Sequence, residues 1–348
     1  MIKRVLITGG AGFVGSHLCD ELIAHGYEVR GLDNLDPQVH GPDAGVPAYL
    51  NPAVEFYYGS VTNLDCVKRA LKGVDAVVHL AAKVGVGQSA YQLCEYVHHN
   101  SFGTASLLQA VREDSISKFI VASSMSVYGE GETWTDLFGP DHGEPAPTDE
   151  DHPLDLTSVY ALTKFDQERL SLLWGRAYNI PTIALRFFNV YGTRQSLSNP
   201  YTGVLAIFAS RLLNNQSPII FEDGLQSRDF VHVSDIVRGI RLALESDLRD
   251  EVINLGSGER RTILEVAETL ATALGKDILP LITNKHRTGD IRHCFADISK
   301  AERLLNYQPQ MKFDDGIREY VQWLQTQTAQ DRLGEHVREL EEKGLLKQ

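Results

Sequence analysis

The chain has 348 residues, of which 43% are hydrophobic and 23% charged, and its formal net charge is −13. This composition is that of a globular protein long enough to bury a large core in two domains. The acidic balance argues against nucleic acid and anionic membranes as partners, and no apolar run approaches the length of a membrane span.

The N-terminal residues and the cysteines indicate the cellular compartment. The apolar piece of "MIKRVLITGG" is too short for the core of a signal peptide, so we expect a cytoplasmic protein. The cysteines, Cys19, Cys66, Cys94 and Cys294, lack the paired spacing of a disulfide framework or a zinc site. We therefore expect reduced, buried thiols and no bound metal.

Short apolar runs alternate with amphipathic segments over the first 190 residues and predict strands buried on both faces. The runs are 4–8, 28–32, 54–59, 75–82, 118–124 and 182–188. Between the first two, Val14, Leu18 and Leu22 form a helical stripe that ends near Gly26. Strands that alternate with helices predict an α/β fold with a doubly wound parallel sheet, the Rossmann architecture.

The pattern changes after about residue 190, where mixed helices and short strands such as 217–221 and 251–256 predict a smaller α/β lobe. The stretch 136–153 is rich in Pro, Gly and acidic residues, which predicts a loop and a candidate lid. We therefore expect three parts. They are a dinucleotide-binding and catalytic domain at 1–190, a mainly substrate-binding lobe at 191–330, and a charged helix or tail at 331–348 that packs on a neighbour or is solvated.

The first chemical motif is "TGGAGFVG", which places Gly9, Gly12 and Gly15 between a predicted strand and a predicted helix. Glycines in this context allow the backbone to approach a pyrophosphate at the helix N-terminus. Asp33 follows eighteen residues after Gly15, at the end of the second strand, where a carboxylate can bind a ribose 2′-hydroxyl. That carboxylate would repel a 2′-phosphate, so the pattern favours NAD over NADP. The alternative is an ordinary glycine turn with a capping aspartate.

The second motif is "YALTK", with Tyr160 and Lys164 four residues apart on a predicted helix. At this spacing the phenol and the ammonium lie on one face. A neighbouring ammonium and a positive nicotinamide both favour the phenolate, which moves the pKa of the tyrosine toward the range of a general base. Many helices carry such a pair by chance, so the motif gains its meaning from the dinucleotide fold.

Five segments together carry a family resemblance: "TGGAGFVG", "HLAAKVGVG", "ASSMSVYGEG", "YALTK" and "RFFNVYG". They resemble the extended short-chain dehydrogenases of the NAD-dependent epimerase/dehydratase family, which act on nucleotide sugars, and the resemblance runs from residue 2 to about 325. It implies that Ser124 completes a catalytic triad with Tyr160 and Lys164, and that Ser126 is a further substrate contact. Ser123 then only finishes the strand.

The same resemblance implies the binding residues. Those for NAD are Gly9, Gly12, Phe13, Val14, Gly15, Asp33, Asn34, Ser60, Val61, Leu80, Ala81, Ala82, Lys83, Tyr160 and Lys164. Those for the substrate are Ser124, Ser126, Asn189, Arg228 and Arg292, with the two arginines on the diphosphate. Asn100 matches an asparagine that supports the active-site helix. Ser60 departs from the family, which usually has Asp beside the adenine, so the adenine contact rests on the backbone at Val61.

The residues after Ser124 bear on the reaction type. Family members that eliminate water carry an Asp-Glu pair there, whereas this chain has Met125 and Ser126. The resemblance therefore implies a 4-epimerase that works through a 4-keto sugar. Segment 32–41, "ASSMSVYGEG" and "RQSLSNPYTGV" are similar to a bacterial branch that includes dTDP-L-rhamnose 4-epimerases. The alternatives are a UDP-glucose or UDP-hexose 4-epimerase, a nucleotide-sugar 4-ketoreductase, and a non-catalytic NAD or sugar-nucleotide sensor.

The resemblance also implies a homodimer. Helices at about 91–113 and 157–178 pair across a two-fold axis in the family. The second carries apolar residues beyond those that its own sheet needs, namely Leu162, Leu170, Leu173 and Trp174.

Overall fold

The predicted apolar runs form strands of one central parallel sheet. The computed structural model describes residues 2–42, 45–111, 116–134, 143–201, 203–287 and 289–347. Its strands, in chain order, are β1 Arg4–Thr8, β2 Glu28–Asp33, β3 Glu55–Tyr58, β4 Ala76–His79, β5 Lys118–Ser124, β6 Thr182–Phe187, β7 Asn189–Tyr191, β8 Ile219–Ile220, β9 Ser227–Arg228, β10 Phe230–His232, β11 Glu251–Leu255, β12 Arg261–Thr262, β13 Leu281–Ile282, β14 His286–Arg287, β15 His293–Cys294 and β16 Leu346–Lys347. Seven of them pair in the order β11-β6-β5-β4-β1-β2-β3, all in parallel. The predicted doubly wound sheet is confirmed.

Helices cover both faces of this sheet because each buried strand presents apolar side chains alternately to either side. Val5 and Ile7 of β1 pack in one core cluster with helices Phe13–Ala24 and Val233–Glu245, whereas Leu6 packs in another on the opposite face. The opposite face is covered by helices Leu64–Leu71, Gly103–Val111 and Val159–Tyr178. Shorter helical segments are Pro37–His40, Val86–Ser89, Leu93–Tyr96, the π-helix Val97–Phe102 and the 3-10 turn Met125–Val127.

The second lobe has its own apolar core. Helices Val204–Leu213, Ile263–Ala273 and Phe313–Leu324 pack together there with short strands, and helices Ser299–Leu305 and Leu333–Glu342 complete the chain. Thr262 begins the second of these helices with a reciprocal capping box to Glu265. This lobe lies beside the carboxyl edge of the sheet, since β10 pairs with β7 directly after β6.

Two strand predictions need correction. Residues 251–256 were expected in the smaller lobe, yet β11 adds to the central sheet beside β6, with Glu251 opposite Ile183. The chain thus returns to the first domain after residue 230, and helix Val233–Glu245 packs on the first helix of the fold. Strand β3 was expected to be buried on both faces, but it lies at the sheet edge and its Tyr58 is exposed.

The structure shows the burial of the cysteines and the character of the helices. Cys19 and Cys294 are buried free thiols as predicted, whereas Cys94 is exposed and Cys66 is partly exposed. Within the described ranges, no helix combines the length and the apolar character needed to cross a bilayer.

Candidate active site

A cavity of about 590 Å³ opens at the carboxyl edge of the central sheet and continues into the second lobe. This edge is where ligands bind in doubly wound folds, because strand ends and helix N-termini meet there. Every residue predicted to bind the dinucleotide borders this cavity. Of the predicted substrate residues, Ser124, Ser126, Asn189 and Arg228 border it as well.

The glycine loop joins β1 to the first helix and leaves no room for side chains. Gly9 has φ of +72°, a conformation that favours glycine, and a Cβ on Gly15 would overlap the carbonyl oxygen of Gly9. The helix begins at Phe13 directly after the loop, so its first N–H groups face the cavity. These residues therefore form a cradle that fits a dinucleotide pyrophosphate.

Asp33 ends β2 and is held in place by the backbone. Its carboxylate accepts hydrogen bonds from the Ala11 N–H at 3.0 Å and from the Leu35 N–H at 2.8 Å. The side chain is buried but still borders the cavity next to Asn34. A fixed carboxylate beside the glycine loop fits the 2′-hydroxyl of an adenosine ribose.

A segment after β2 crosses from the glycine loop to the far wall of the cavity. Asp36 forms an ion pair with Lys83 at 3.1 Å, and the amides of Gln38 and Gln88 exchange hydrogen bonds of 2.9 and 3.1 Å. The Gln38 amide also donates to Asn199 at 3.4 Å. These contacts tie residues 36–38 across the part of the cavity that fits the dinucleotide.

The predicted triad is brought together at the centre of the cavity wall. Ser124 is the last residue of β5, and Tyr160 and Lys164 lie in the first turns of helix Val159–Tyr178, which Ser158 caps. Tyr160 and Lys164 are both buried. The Ser124 hydroxyl donates to the Ser126 hydroxyl at 3.0 Å and acts to lower the pKa of the phenol. Hence one strand end and one helix start meet with the three functional groups on the same side.

The electrostatics of these groups differ from the simple expectation of a lowered tyrosine pKa. Burial raises the pKa of Tyr160 to about 12, and the hydrogen bond from Ser124 opposes this effect. Burial also lowers the pKa of Lys164 to about 7, against the attraction of Glu168. The Lys164 ammonium donates to the Gln167 side chain at 2.7 Å. Within the protein alone, desolvation is therefore the dominant effect on both groups.

Asn100 lies in the π-helical turn and holds the active-site helix, as the resemblance implied. Its buried amide donates to the Thr163 hydroxyl at 3.0 Å and to the Lys83 carbonyl at 3.1 Å, and its oxygen accepts from the Lys83 N–H at 2.7 Å. One side chain thus joins the loop after β4 to the turn between Tyr160 and Lys164.

A second support was not predicted from the sequence. His79, at the end of β4, bonds the hydroxyls of Thr8 at 2.7 Å and Thr104 at 2.9 Å, and its ring also contacts the Gln167 amide at 3.1 Å. Burial lowers the pKa of His79 to about 3, so the ring is neutral. Its position in "HLAA" is the signal that could have found it.

Ser123 does more than finish the strand. Its hydroxyl donates to Glu168 at 2.7 Å, and Glu168 forms a buried ion pair with Arg186 at 2.8 Å. The three side chains connect β5, β6 and the active-site helix directly behind Ser124. These contacts fix β5 relative to the active-site helix, and therefore fix Ser124 relative to Tyr160 and Lys164.

On the substrate side of the cavity, the structure corrects the prediction for one of the two arginines. Arg228 borders the cavity, and its guanidinium donates to the backbone carbonyls of Ser227, Ile291 and Arg292. The side chain of Arg292 was predicted to share this role, but it is not among the described residues that line the cavity.

Ion pairs hold the Arg292 guanidinium elsewhere, with Glu222 at 2.9 Å and Asp223 at 2.6 Å. Arg287 borders the cavity instead, paired with Asp290 at 2.9 Å. The sequence signal that could have identified Arg287 is "HRTGD", in which this arginine precedes a glycine turn.

The predicted loop 136–153 and the C-terminal segment 331–348 differ in whether their described residues line the cavity. Residues 135–142 lie outside the described part of the chain, and no described residue of 143–153 lines the cavity. Thr148 of this stretch is buried and its backbone bridges to Ala296 of the second lobe. The described C-terminal residues fold back onto their own chain, and Leu333 and His336 line the cavity.

Comparisons with known proteins agree with this geometry. A family model described as "NAD dependent epimerase/dehydratase family" matches residues 5–256. The chain is 35% identical to a putative UDP-glucose 4-epimerase of Methanocaldococcus jannaschii, over 92% of this chain and 98% of that protein. It is 33% identical to a dTDP-L-rhamnose 4-epimerase of Burkholderia thailandensis, over 92% and 95%. A solved UDP-glucuronic acid 4-epimerase from Bacillus cereus, in complex with UDP-glucuronic acid and NAD, superimposes with a TM-score of 0.81 at 32% identity, over 92% of this chain and 99% of that chain.

Proposed function

The chain belongs to the NAD dependent epimerase/dehydratase family, and we propose that it is a nucleotide-sugar 4-epimerase that keeps one NAD bound through turnover. One observation carries the proposal. Ser124, Tyr160 and Lys164 converge on a cavity whose other walls are a dinucleotide cradle and a pair of arginines. A binding protein without activity has no need of a buried phenol and ammonium at that point.

Each residue of the triad has a separate role in the reaction at one sugar carbon. NAD supplies a reversible hydride acceptor for that carbon. Ser124 holds the C4 oxygen, and Tyr160 removes its proton and later returns it. Lys164 favours the phenolate form by its charge. The 4-keto sugar turns its other face between the two half-reactions, so the product differs from the substrate in configuration and not in mass.

The carboxylates of the cavity support epimerisation over elimination of water. Elimination needs a free acid and base beside the triad hydroxyl, where this chain places the buried Met125 and the half-buried Ser126. Each described carboxylate that lines the cavity already has a partner. These pairs are Asp33 with two backbone N–H groups, Asp36 with Lys83, Glu222 with Arg292, and Asp290 with Arg287.

The contacts across the dinucleotide part of the cavity support epimerisation over net reduction. A ketoreductase must exchange its cofactor in every turnover, whereas an epimerase regenerates it in place. The bridge from Asp36 to Lys83 and the amide pair of Gln38 and Gln88 would have to open for each exchange. A redox-neutral reaction leaves them closed.

We propose a sugar without a charge at C6, with a dTDP-linked 6-deoxyhexose as the finer hypothesis. A uronate would need a cation near the triad. The described lysines and arginines that line the cavity are Lys83, Lys164, Arg228 and Arg287. Lys83 and Lys164 bond Asp36 and Gln167, and we assign the two arginines to the diphosphate, which leaves no further cation for a uronate. Met125, Val86 and Phe187 line the cavity, with Phe187 opposite Ser124 in the sheet, and these apolar side chains suit an apolar C6 substituent.

The deciding experiment is incubation of the purified protein with dTDP-, UDP- and GDP-sugars without added nicotinamide cofactor. We expect one or more C4 epimers of equal mass, identified by NMR and mass spectrometry, and the best rate with an uncharged sugar. A requirement for added NADH or NADPH would favour the ketoreductase. A product lighter by one water would contradict our interpretation of Met125.

We also propose a homodimer. Leu162 and Leu173 of the active-site helix are about half exposed, as are Val97 and Phe102 on the neighbouring helical stretch. A closed two-fold contact between these faces would remove the four side chains from water.

Two members of the predicted set do not contribute to this interface. Leu170 and Trp174 pack against the core of their own chain. Light scattering should report about twice the chain mass of 38.7 kDa, and Leu162→Glu/Leu173→Glu should halve the observed value. An unmodified protein that is monomeric and active would refute the dimer.

A further inference from the structure

The C-terminal segment, residues 331–347, is attached to the rest of the chain at several separate points. Asp331 pairs with Arg211 at 2.7 Å, and Glu341 pairs with Lys285 at 2.8 Å. Strand β16 pairs antiparallel with β14, which carries Arg287. These contacts come from distant parts of the sequence, so the segment is an integral element of the second lobe.

Glu339 makes the strongest of these attachments. Its carboxylate accepts from the Tyr91 hydroxyl at 2.7 Å and from the Tyr201 hydroxyl at 2.8 Å. These hydrogen bonds lower the pKa of Glu339, so the carboxylate is charged at neutral pH. Because Tyr91 follows β4 and Tyr201 belongs to the second lobe, Glu339 holds the helix across both walls of the cavity mouth.

The attached helix Leu333–Glu342 presents its apolar side to the cavity. Leu333, His336 and Leu340 are buried, and the first two line the cavity. The His336 ring meets the Tyr201 ring edge to face at 4.8 Å. Ring atoms Cε1 and Nε2 would lie 3.5 and 3.7 Å from a Cβ on Gly87, in the short helix Val86–Ser89, whose Ser89 hydroxyl accepts from the Tyr160 N–H.

The two nitrogens of His336 have different surroundings. Nδ1 is buried and has no hydrogen-bond partner among the described residues. A buried N–H without an acceptor is rarer and more costly than a bare acceptor, so the proton belongs on Nε2. Nε2 faces the Gly87 side, and no hydrogen bond joins it to a described residue. Burial and the Arg287 charge lower the pKa of His336 to about 4, against Glu339 and Asp290, which keeps the ring neutral.

We propose that His336 is a substrate-binding residue, in which the Nε2–H donates a hydrogen bond to an oxygen of the bound sugar nucleotide. This inference rests on the proposed function and extends its site to the C-terminal segment. The ring stands in the wall between the short helix Val86–Ser89, which contacts Tyr160, and Arg287, to which we assign the diphosphate. An oxygen of the sugar or of the adjoining phosphate is therefore within its reach. The helix closes this side of the cavity and contributes a specific contact there.

The test compares three variants of the NAD-bound protein by calorimetric titration with sugar nucleotides and with UDP or dTDP alone. His336→Phe keeps a ring but loses the donor, and His336→Gln keeps an N–H donor at a similar reach. Arg338→Ala is the matched control, since Arg338 lies on the exposed side of the same helix. Turnover measured in parallel separates KM from kcat.

We expect His336→Phe to weaken sugar-nucleotide binding and raise KM by about three- to tenfold, the effect of one neutral hydrogen bond, with kcat nearly unchanged. His336→Gln should recover most of the loss, and Arg338→Ala should match the unmodified protein. A loss seen also with UDP or dTDP alone assigns the contact to a phosphate oxygen. A loss confined to the sugar nucleotide assigns it to a sugar oxygen.

Equal affinity of His336→Phe and the unmodified protein would overturn the proposal. If the variants fold poorly, hydrogen exchange on the unmodified NAD-bound protein decides the question. Sugar nucleotide should then slow amide exchange in 333–342, and unchanged exchange would also overturn the proposal. Failure of the unmodified protein to bind any sugar nucleotide refutes the proposed function itself, which is a separate outcome.

Discussion

The two halves of the cavity are built differently. In the cofactor half, the polar side chains bond one another or the backbone, as Asp33 does with Ala11 and His79 does with Thr8 and Thr104. In the substrate half, several buried acceptor atoms have no partner among the described residues. They are Asn189 Oδ1, Gln195 Oε1 and Gln226 Oε1, and all three side chains line the cavity.

This difference indicates how each half recognises its ligand. Polar side chains that already bond one another set the shape of the site before the ligand binds, which suits a cofactor that stays bound. Buried polar atoms without partners raise the free energy of the protein until a ligand or water bonds them. The cofactor half is thus rigidly prepared, and the substrate half completes its hydrogen bonding on binding. Five substitutions test this difference between the two halves.

The largest effect is expected for Tyr160→Phe, which removes the general base from the boundary between the halves. We expect kcat to fall on the order of 10²- to 10⁴-fold, the usual contribution of positioned acid-base catalysis, with NAD still bound. Stopped assays of epimer formation and the absorbance of released NAD measure the two quantities. Tyr178→Phe, on the exposed end of the same helix, is the control. Near-normal turnover by folded Tyr160→Phe would exclude the mechanism.

Ser124→Ala should lower kcat by about 10²-fold near pH 7 and shift its pH dependence. The Ser124 hydrogen bond lowers the pKa of Tyr160, so its removal raises that pKa and reduces the phenolate fraction at any pH below it. Well below the pKa of Tyr160 the rates of both proteins fall in parallel with pH, so the deficit is constant there, and the rate of the variant should level off at a higher pH than that of the unmodified protein. Rate profiles carried to the highest pH at which the protein stays folded measure this. Ser117→Ala, before the same strand, should leave the profile unchanged, and an undiminished kcat in Ser124→Ala would contradict the assigned role.

Arg287→Ala and Arg292→Ala form a matched pair in the substrate half. We propose that Arg287 contacts the diphosphate, so its loss should weaken sugar-nucleotide binding by about ten- to a hundredfold, the effect of one charge-assisted contact. Arg292 does not line the cavity and is held by Glu222 and Asp223, so its loss should change affinity by less than about twofold. Calorimetric titration with dTDP and UDP compares the two. The reverse ranking would restore the assignment made from sequence.

Asp33→Asn should have the smallest effect, because it keeps the shape of the cofactor half. The preference for NAD over NADP should narrow by about tenfold or less, since the repulsion of a 2′-phosphate is removed. Fluorescence titration of both cofactors measures the ratio, with Asp65→Asn on an exposed helix start as the control. Tighter binding of NADP by the unmodified protein would overturn the role of Asp33.

Local spacing explains which site residues were predictable. The glycine loop, Asp33 and the pair Tyr160 and Lys164 each lie at a strand end or in one helix turn. Their mutual geometry follows from the rise of a helix or the end of a strand, so a short stretch of sequence is enough to place them. The family resemblance also predicted that Asn100 supports the active-site helix.

The errors share a different cause. Arg287 and Arg292 are five residues apart, and pairing with different strands decides which one faces the cavity: β14 pairs with β16, and β15 pairs with β9. The same holds for β11, whose apolar sequence suits either lobe until it pairs with β6. In both cases the partner is distant in the chain, and spacing carries no information about it.

The sequence by itself predicted the parallel sheet, the glycine loop with Asp33, and the pair Tyr160 and Lys164, because periodicity and short motifs encode contacts between near neighbours. The family resemblance implied the place of Ser124. Only the tertiary structure decided that the C-terminal segment closes the cavity. Residues 331–347 carry a helical stripe that would suit a tail or a neighbour equally well. Their position depends on Glu339 meeting Tyr91 and Tyr201, which lie 248 and 138 residues away. Such contacts form only after the rest of the chain has folded, so they place His336 in a wall that local pattern cannot reveal.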